Sequence, residues 1–149
     1  MRNRSSTFGN AMRSPRYLVL LVCMLALLVS GCAQLATIEK TKRLEEAVKF
    51  YVKALRWDRL DVARGLLRDS NGAPIDVDLG ALKGLQVTRY DFSINASNAA
   101  AGEALMSATF DYYFNDASML KTVEQQAVWW WDARAEAWFL ASTLPAFKR

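Results

Sequence analysis

Histidine is absent from this sequence of 149 residues, and cysteine occurs only twice. Without histidine the chain lacks the usual zinc ligand and the only side chain whose unperturbed pKa lies near neutrality. Histidine-dependent catalytic triads and zinc sites are therefore excluded, and we expect neither a metal nor another cofactor. Cys23 lies in an apolar segment that we expect to be removed, so the mature chain would keep one cysteine and no intrachain disulfide.

An excess of one charge is also lacking once the first 31 residues are set aside. The whole chain has 19 basic and 15 acidic residues, a net charge of +4. Residues 1–31 contain four arginines and no acidic residue, so residues 32–149 have 15 of each sign. Such a balanced charge does not attract the phosphates of a nucleic acid. We therefore expect no binding to DNA or RNA.

The longest apolar segment, residues 17–29, follows a region rich in arginine and serine. A helix of that length spans about 20 Å, which is short of the roughly 30 Å of a hydrocarbon core. This pattern favours a cleaved signal peptide over a permanent membrane helix. Translation from Met1 and translation from Met12 are both compatible with a signal peptide, because both starts precede the apolar segment.

The apolar segment ends in Val29-Ser30-Gly31-Cys32, which resembles the bacterial lipobox. The resemblance implies a signal peptide at 1–31, cleavage between Gly31 and Cys32, and palmitate or similar acyl chains that anchor Cys32 in a membrane. Ala33 stands where enteric lipoproteins kept in the inner membrane have aspartate, so the resemblance implies the periplasmic face of the outer membrane. The alternative is a chance Gly-Cys pair after a simple signal peptide or membrane anchor.

The rest of the chain is a lipidated tether at 32–36 and a single domain at 37–149. Residues 37–56 carry apolar side chains at helical spacing, at Leu44, Val48, Tyr51 and Leu55. Their polar face mixes both charges, which favours packing on the chain's own domain over lying on a membrane. Asp58 is expected to cap a second, shorter helix, with Leu60, Ala63 and Leu67 towards the core. Residues 73–84 read as an irregular connection.

After residue 84 the apolar period changes to two, which predicts β-strands. One face of the first strand carries Thr88, Tyr90, Phe92 and Ile94. The second strand repeats the pattern at Met106, Ala108, Phe110, Tyr112 and Phe114. A third strand is expected at about 120–132 and a fourth at 137–143. Short connections between them predict a four-stranded antiparallel meander, so the fold class is α+β, with two helices on one face of a curved sheet.

This order of elements resembles the NTF2-like, cystatin-like group of folds over residues 37–145. The resemblance is carried by Ala54-Leu55-Arg56-Trp57-Asp58, by Val62 to Leu67 and by the aromatic-rich strands. The chain is also similar to small uncharacterised proteobacterial lipoproteins with a Trp-rich strand and a Leu-Pro-aromatic tail, here 138–140 and 144–147. NTF2-like proteins include dehydratases and isomerases as well as dimerisation and ligand-binding modules, so the resemblance implies no single activity.

Three consecutive tryptophans, Trp129 to Trp131, give the sheet an unusual aromatic content. Alternation places Trp130, with Val128, on the opposite face from its two neighbours. If the helices cover Trp129 and Trp131, Val128 and Trp130 form an apolar patch on the open face, fit for a second copy or a periplasmic protein partner. The alternative is that the tail folds back and packs Pro145 and Phe147 over Trp130.

Two aspartates in the strands, Asp91 and Asp111, are candidates for a catalytic pocket. A buried carboxylate has a raised pKa and can act as a base, with Tyr90, Tyr112 or Tyr113 as the proton donor. A solvated outer face explains the same spacing without chemistry.

The sequence also has neither a glycine-rich phosphate loop nor a serine-nucleophile elbow. We therefore favour a lipid-anchored, non-catalytic binding or assembly module that acts through the sheet face. The alternative is an NTF2-like hydrolyase or isomerase that acts on a small apolar ligand.

The anchoring hypothesis predicts the chemical form of the mature N-terminus. Mass spectrometry of the protein from membranes should find Cys32 as the first residue, with a mass increased by acyl chains. The Cys32→Ala variant, which has no thiol to acylate, should lack this modification. An unmodified Cys32 at the mature N-terminus would refute the hypothesis.

Overall fold

The computed structural model describes residues 15–149, with side chains from Leu35 onward other than that of Ser118. The first helix, α1, runs over Pro15–Arg56. Residues 1–14 of the predicted signal peptide lie outside the described residues, and so do the side chains of residues 15–34, which include the predicted cleavage site and Cys32. Within the described part of the chain, no helix has an apolar stretch long enough to cross a membrane. Residues 37–149 form a compact unit, and the following description concerns that unit.

The apolar side chains of α1 that follow Thr37 are buried as predicted, at Leu44, Val48, Tyr51 and Leu55. The second helix, α2, covers Leu60–Gly65 and buries Leu60 and Ala63. The prediction that Asp58 caps α2 is wrong. Asp58 has a φ of 55°, in the left-handed region, and the residue before α2 is Arg59, which makes no side-chain capping bond. Asp58 instead reverses the chain after α1, a conformation that aspartate tolerates better than most residues.

The sheet contains four antiparallel strands in sequential order, as the alternating pattern predicts. The strands are β1 (Leu85–Asn95), β2 (Glu103–Phe114), β3 (Ala117–Asp132) and β4 (Ala137–Leu140). β3 begins at Ala117 rather than at about residue 120, and β4 ends at Leu140 rather than at residue 143. Short 3-10 helices precede β1, at Leu79–Leu82, and β2, at Ala99–Ala101. The α+β class with two helices and an antiparallel meander is therefore confirmed.

The first strand contains a β-bulge at Thr88. Val87 pairs with Tyr112 and Arg89 with Asp111, so Thr88 has no opposite residue. The bulge reverses the phase of the alternation. Val87 is buried, whereas Thr88 is exposed, in contrast to the prediction that Thr88 shares a face with Tyr90. An unpaired residue of this kind leaves no local signal in the apolar pattern.

The contact between α1 and the sheet is centred on Tyr51. Its ring meets Trp129 edge to face, with 5.9 Å between the ring centroids. Its hydroxyl donates a hydrogen bond to Gln125 Oε1 at 3.1 Å, and Gln125 Nε2 donates to the carbonyl of Thr143 at 3.0 Å. Nearer the start of the unit, Trp138 Nε1 donates to the carbonyl of Lys40 at 2.9 Å. Oriented polar bonds therefore supplement the apolar contact of the helix with the sheet.

The C-terminal tail packs on the same side of the sheet as α1. The ring of Phe147 lies against Tyr112 and Phe110, with centroid distances of 4.9 and 6.1 Å. The Tyr112 hydroxyl donates to the carbonyl of Lys148 and accepts from its N–H, at 3.1 and 2.9 Å. The tail thus closes the helix side of the sheet.

The segment after α2 extends the sheet beyond β4. Leu67 forms a parallel bridge with Leu140, and Arg68 an antiparallel one with Pro74. The N–H of Arg68 donates to the Leu140 carbonyl at 3.0 Å, and the N–H of Leu140 donates to the Leu66 carbonyl at 2.9 Å. The outer edge of β4 is therefore paired at Leu140, and Arg68 is held beside the aromatic end of the sheet.

Buried Tyr51 should make the stability of the domain sensitive to alkaline pH. Desolvation by burial raises the pKa of Tyr51 far above its usual value near 10. The unfolded chain ionises at about pH 10 whereas the folded chain keeps Tyr51 neutral, so its contribution is full below pH 10 and is lost as pH rises above it. Between pH 9 and 11 the native protein should lose up to about 1.4 kcal/mol more than Tyr51→Phe.

Urea unfolding of both proteins at the two pH values measures this difference. All other titrating groups are shared, so their effects cancel in the comparison. An equal loss of unfolding free energy in the two proteins would contradict the assignment.

Candidate functional site

The face of the sheet turned away from α1 is called the open face. Cross-strand pairs share a face, so the register orders its side chains in rows across β1, β2 and β3. From the bulge onward the rows are Arg89–Asp111–Thr122, Asp91–Thr109–Glu124, Ser93–Ser107–Gln126 and Asn95–Leu105–Val128. A final row, across β2, β3 and β4, is Glu103–Trp130–Phe139. The open face therefore changes from polar to apolar along the strands.

The apolar end of the open face includes the predicted Val128 and Trp130, and it adds Leu105. Leu105 lies opposite Val128, and these side chains are 52% and 36% exposed. Trp130 is half-buried in the next row. Leu105, Val128 and Trp130 are together called the apolar patch.

Trp130 is partly covered by its neighbours on the open face. Its indole Nε1 donates to the carbonyl of Arg68 at 3.0 Å, and its ring lies 5.7 Å from that of Phe139. The guanidinium of Arg68 in turn stacks over Phe139 at 4.6 Å. Because Phe147 packs on Phe110 on the other side of the sheet, the tail does not supply this cover. Trp130 is thereby held in a defined position while part of its ring stays accessible.

The candidate acid and base residues are divided between the two faces of the sheet. Tyr90 pairs with buried Phe110, and Tyr112 pairs with buried Val87, so both tyrosines face α1. Asp91, Asp111 and Tyr113 occupy the alternate positions and lie on the open face. The structure therefore does not bring the five residues together in one pocket.

The contacts of these residues are those of a structural or solvated role. The Tyr112 hydroxyl is hydrogen-bonded to the backbone of Lys148. Thr122 Oγ1 donates to Asp111 Oδ1 at 2.7 Å. Asp91 is exposed, and no other described residue bonds its carboxylate. The described residues also contain no group of three or more acidic or cysteine side chains placed to hold a metal ion.

Sequence reasoning missed Leu105 and a shallow groove beside it. The groove has a volume of about 280 Å³ and is lined by side chains of the second and third rows, at Asp91, Ser93, Ser107, Thr109, Glu124 and Gln126. The alternation in β2 contains a signal for Leu105, because this apolar residue occupies a position of the face that otherwise carries polar side chains. The groove had no comparable signal, because only the register brings its three strands together.

Comparison of the chain with models of protein families, with curated proteins and with solved structures finds no match. Function is therefore inferred from the chemistry of the open face.

The bond from Trp130 to Arg68 should contribute measurably to stability. Trp130→Phe keeps an aromatic ring beside Phe139 but removes the donor to the Arg68 carbonyl, so we expect a loss of about 1 kcal/mol in unfolding free energy. Trp57→Phe is the matched control, because Trp57 is 73% exposed and its indole N–H makes no hydrogen bond with a described residue. Its effect should stay within about 0.5 kcal/mol. Equal losses in urea unfolding would show that the Arg68 bond contributes nothing.

Proposed function

We propose that this chain is a lipoprotein of the outer membrane's periplasmic face, whose domain is a non-catalytic binding module. Its anchor is the acylated Cys32, and its binding surface is the apolar patch of Leu105, Val128 and Trp130. The patch contacts a periplasmic protein or a second copy of the chain. The domain is a member of the NTF2-like, cystatin-like group, a proposal supported by the two helices on one side of an antiparallel meander.

The exposed pair Leu105 and Val128 is the observation that carries this proposal. A sheet with one solvated face normally places polar side chains in that phase, as the first three rows do. Leaving apolar surface in water costs about 25 cal/mol per Å², so a contiguous exposed pair beside an ordered tryptophan favours a covering partner. Polar side chains of Ser107, Gln126 and Glu103 border the patch. An apolar centre with a polar rim is the usual anatomy of a protein interface.

The catalytic alternative has less support. An NTF2-like hydrolyase or isomerase would require an acid or base inside a cavity with its donor within hydrogen-bond reach. The candidate aspartates lie on the open face, and Tyr90 and Tyr112 lie on the opposite side. Tyr112 is also bonded to the tail. These positions favour a binding role over acid–base chemistry.

A second exposed apolar pair, Met119 and Leu120, lies at the start of β3. These side chains are 65% and 64% exposed. They precede the rows of the open face and belong to the hairpin between β2 and β3. Because consecutive residues of a strand point to opposite faces, the two side chains do not form one surface, and each competes separately with the apolar patch as the location of an interface.

The proposal predicts that a photo-crosslinking amino acid at position 128 captures a defined partner in intact cells. Leu105→Glu in the same chain should abolish the adduct, because a carboxylate cannot be desolvated against an apolar partner at acceptable cost. The adduct is detected by its mass on a gel and identified by mass spectrometry. Either a homodimer or one reproducible envelope protein supports the proposal.

Phe50 provides the matched control. It is an exposed apolar residue on α1, 53% exposed compared with 52% for Leu105. A crosslinker at position 50 should give no such adduct, and Phe50→Glu should leave the adduct from position 128 intact. If Met119→Glu removes the adduct while Leu105→Glu does not, the interface is the hairpin and the proposal is wrong.

A further inference from the structure

The first turns of α1 in the domain lie beside two connections of the sheet. Lys40 Nζ donates to the carbonyl of Ala100 at 3.4 Å, and Arg43 Nη1 donates to the carbonyl of Glu136 at 3.1 Å. One end of the domain is therefore formed by residues 37–43, by the 3-10 helix at Ala99–Ala101 and by the turn at 133–136. This end is called the entry end, because the chain enters the domain there.

An apolar side chain, that of Ile38, is exposed at the entry end. Ile38 is 65% exposed, and exposed Lys42, four residues later, lies beside it on the helix surface. The two connections add small exposed side chains, those of Ala100, Ala101, Ala133 and Ala135. Small side chains allow these connections to approach a broad surface closely, so that Ile38 can reach into it.

The carboxylates of the entry end already have partners within the domain. Glu39 and Glu136 both pair with Arg43, with N–O distances of 3.1 and 3.8 Å. Asp132 Oδ1 accepts from two backbone N–H groups of the turn that follows it, at 2.8 and 3.2 Å. These negative charges are therefore directed inward rather than towards an external partner.

The basic side chains of the entry end are less engaged. Among the described residues, no carboxylate forms an ion pair with Lys42 or with Arg134 of the turn. Glu103, a further carboxylate nearby, belongs to the open face. An exposed apolar side chain flanked by unpaired basic groups is suited to a phospholipid surface, where apolar groups sink between the headgroups and cations meet phosphates.

The position of Ile38 in the chain brings this end close to such a surface. Ile38 follows Cys32, the proposed site of acylation, by six residues. Six residues span at most about 20 Å when extended and about 9 Å when helical. The headgroup layer on one side of a bilayer is roughly 5–7 Å thick. Because the acyl chains would lie in the hydrocarbon core beneath that layer, Ile38 stays within reach of the headgroups.

We propose that the entry end contacts the phospholipid headgroups of the membrane that holds the acyl chains. Ile38 inserts between headgroups, and Lys42 and Arg134 donate to their phosphates. This inference rests on the proposed acylation of Cys32, and it adds a direct contact of the domain with the membrane. The mixed charges farther along α1 restrict the contact to its first turns. The domain is thereby oriented, with the hairpin between β2 and β3 directed away from the membrane.

The test places a fluorescent label at either end of the acylated chain, purified from membranes. With Cys23 removed and Cys32 acylated, Ala135→Cys and Ala146→Cys each supply one free thiol. Both alanines are exposed. Ala146 precedes Phe147, which packs on Tyr112, about 30 Å along β2 from its start. In vesicles of phosphatidylethanolamine and phosphatidylglycerol with a nitroxide on the headgroup, the label at 135 should lose most of its fluorescence and that at 146 little.

Substitutions at the proposed contact should weaken this quenching at position 135. Ile38→Asn removes the apolar side chain, and Lys42→Glu replaces an attraction to phosphate by a repulsion. Phe50→Asn is the matched control for the first, because Phe50 is 53% exposed and lies about 18 Å farther along α1. Lys53→Glu makes the same change of charge as Lys42→Glu but far from the entry end. Both control variants should leave the quenching unchanged.

Equal quenching of the two labels would overturn the proposal. It would also be overturned if Ile38→Asn and Lys42→Glu quench as strongly as the native sequence. Flotation of the chain with the vesicles reports the anchor separately. A chain that floats but shows no quenching at 135 keeps its lipid anchor and lacks the contact. A chain that does not float, and whose Cys32 takes up the label, refutes the acylation on which both proposals depend.

Discussion

The burial of Tyr51 between α1 and the sheet is the constraint on which the rest of the domain depends. Its ring meets Trp129 of β3, and its hydroxyl reaches Gln125, which bonds the chain near Thr143. One side chain thereby connects the helix, a central strand and the start of the tail. Because this side of the sheet is closed by α1 and the tail, the opposite side is left as the surface on which a partner or ligand can bind.

Much of the architecture could be predicted because it follows from local periodicity. The helical spacing of Leu44 to Leu55 and the alternation in β2 each reflect a face that must be buried. Other features depend on contacts between distant parts of the chain. The bridge from Leu67 to Leu140 and the bonds from Tyr112 to Lys148 have no local signal. Asp58 and Thr88 were misread because backbone conformation, rather than polarity, decides their roles.

The candidate site was predictable to a similar degree. Alternation alone predicts that Val128 and Trp130 lie on the other face of the sheet from Trp129, and the strand register agrees. It could not show that Arg68 would accept from the Trp130 indole, since Arg68 lies 62 positions away in sequence. Nor could alternation show that Asp91 and Glu124 lie on either side of Thr109. Strands that are distant in sequence become neighbours only after the sheet forms.

The bulge at Thr88 makes the outer edge of β1 unsuitable for pairing with another strand. β1 is an edge strand of the sheet, and no described strand pairs with its outer side. A straight edge would accept a neighbouring chain's strand, and the proposed anchor at Cys32 would raise the frequency of such encounters by confining the chains to a membrane plane. The irregular backbone at Thr88, with exposed Arg89 and Asp91 beside it, disrupts that template. The extra residue in β1 thus protects the edge of the sheet against pairing with another chain.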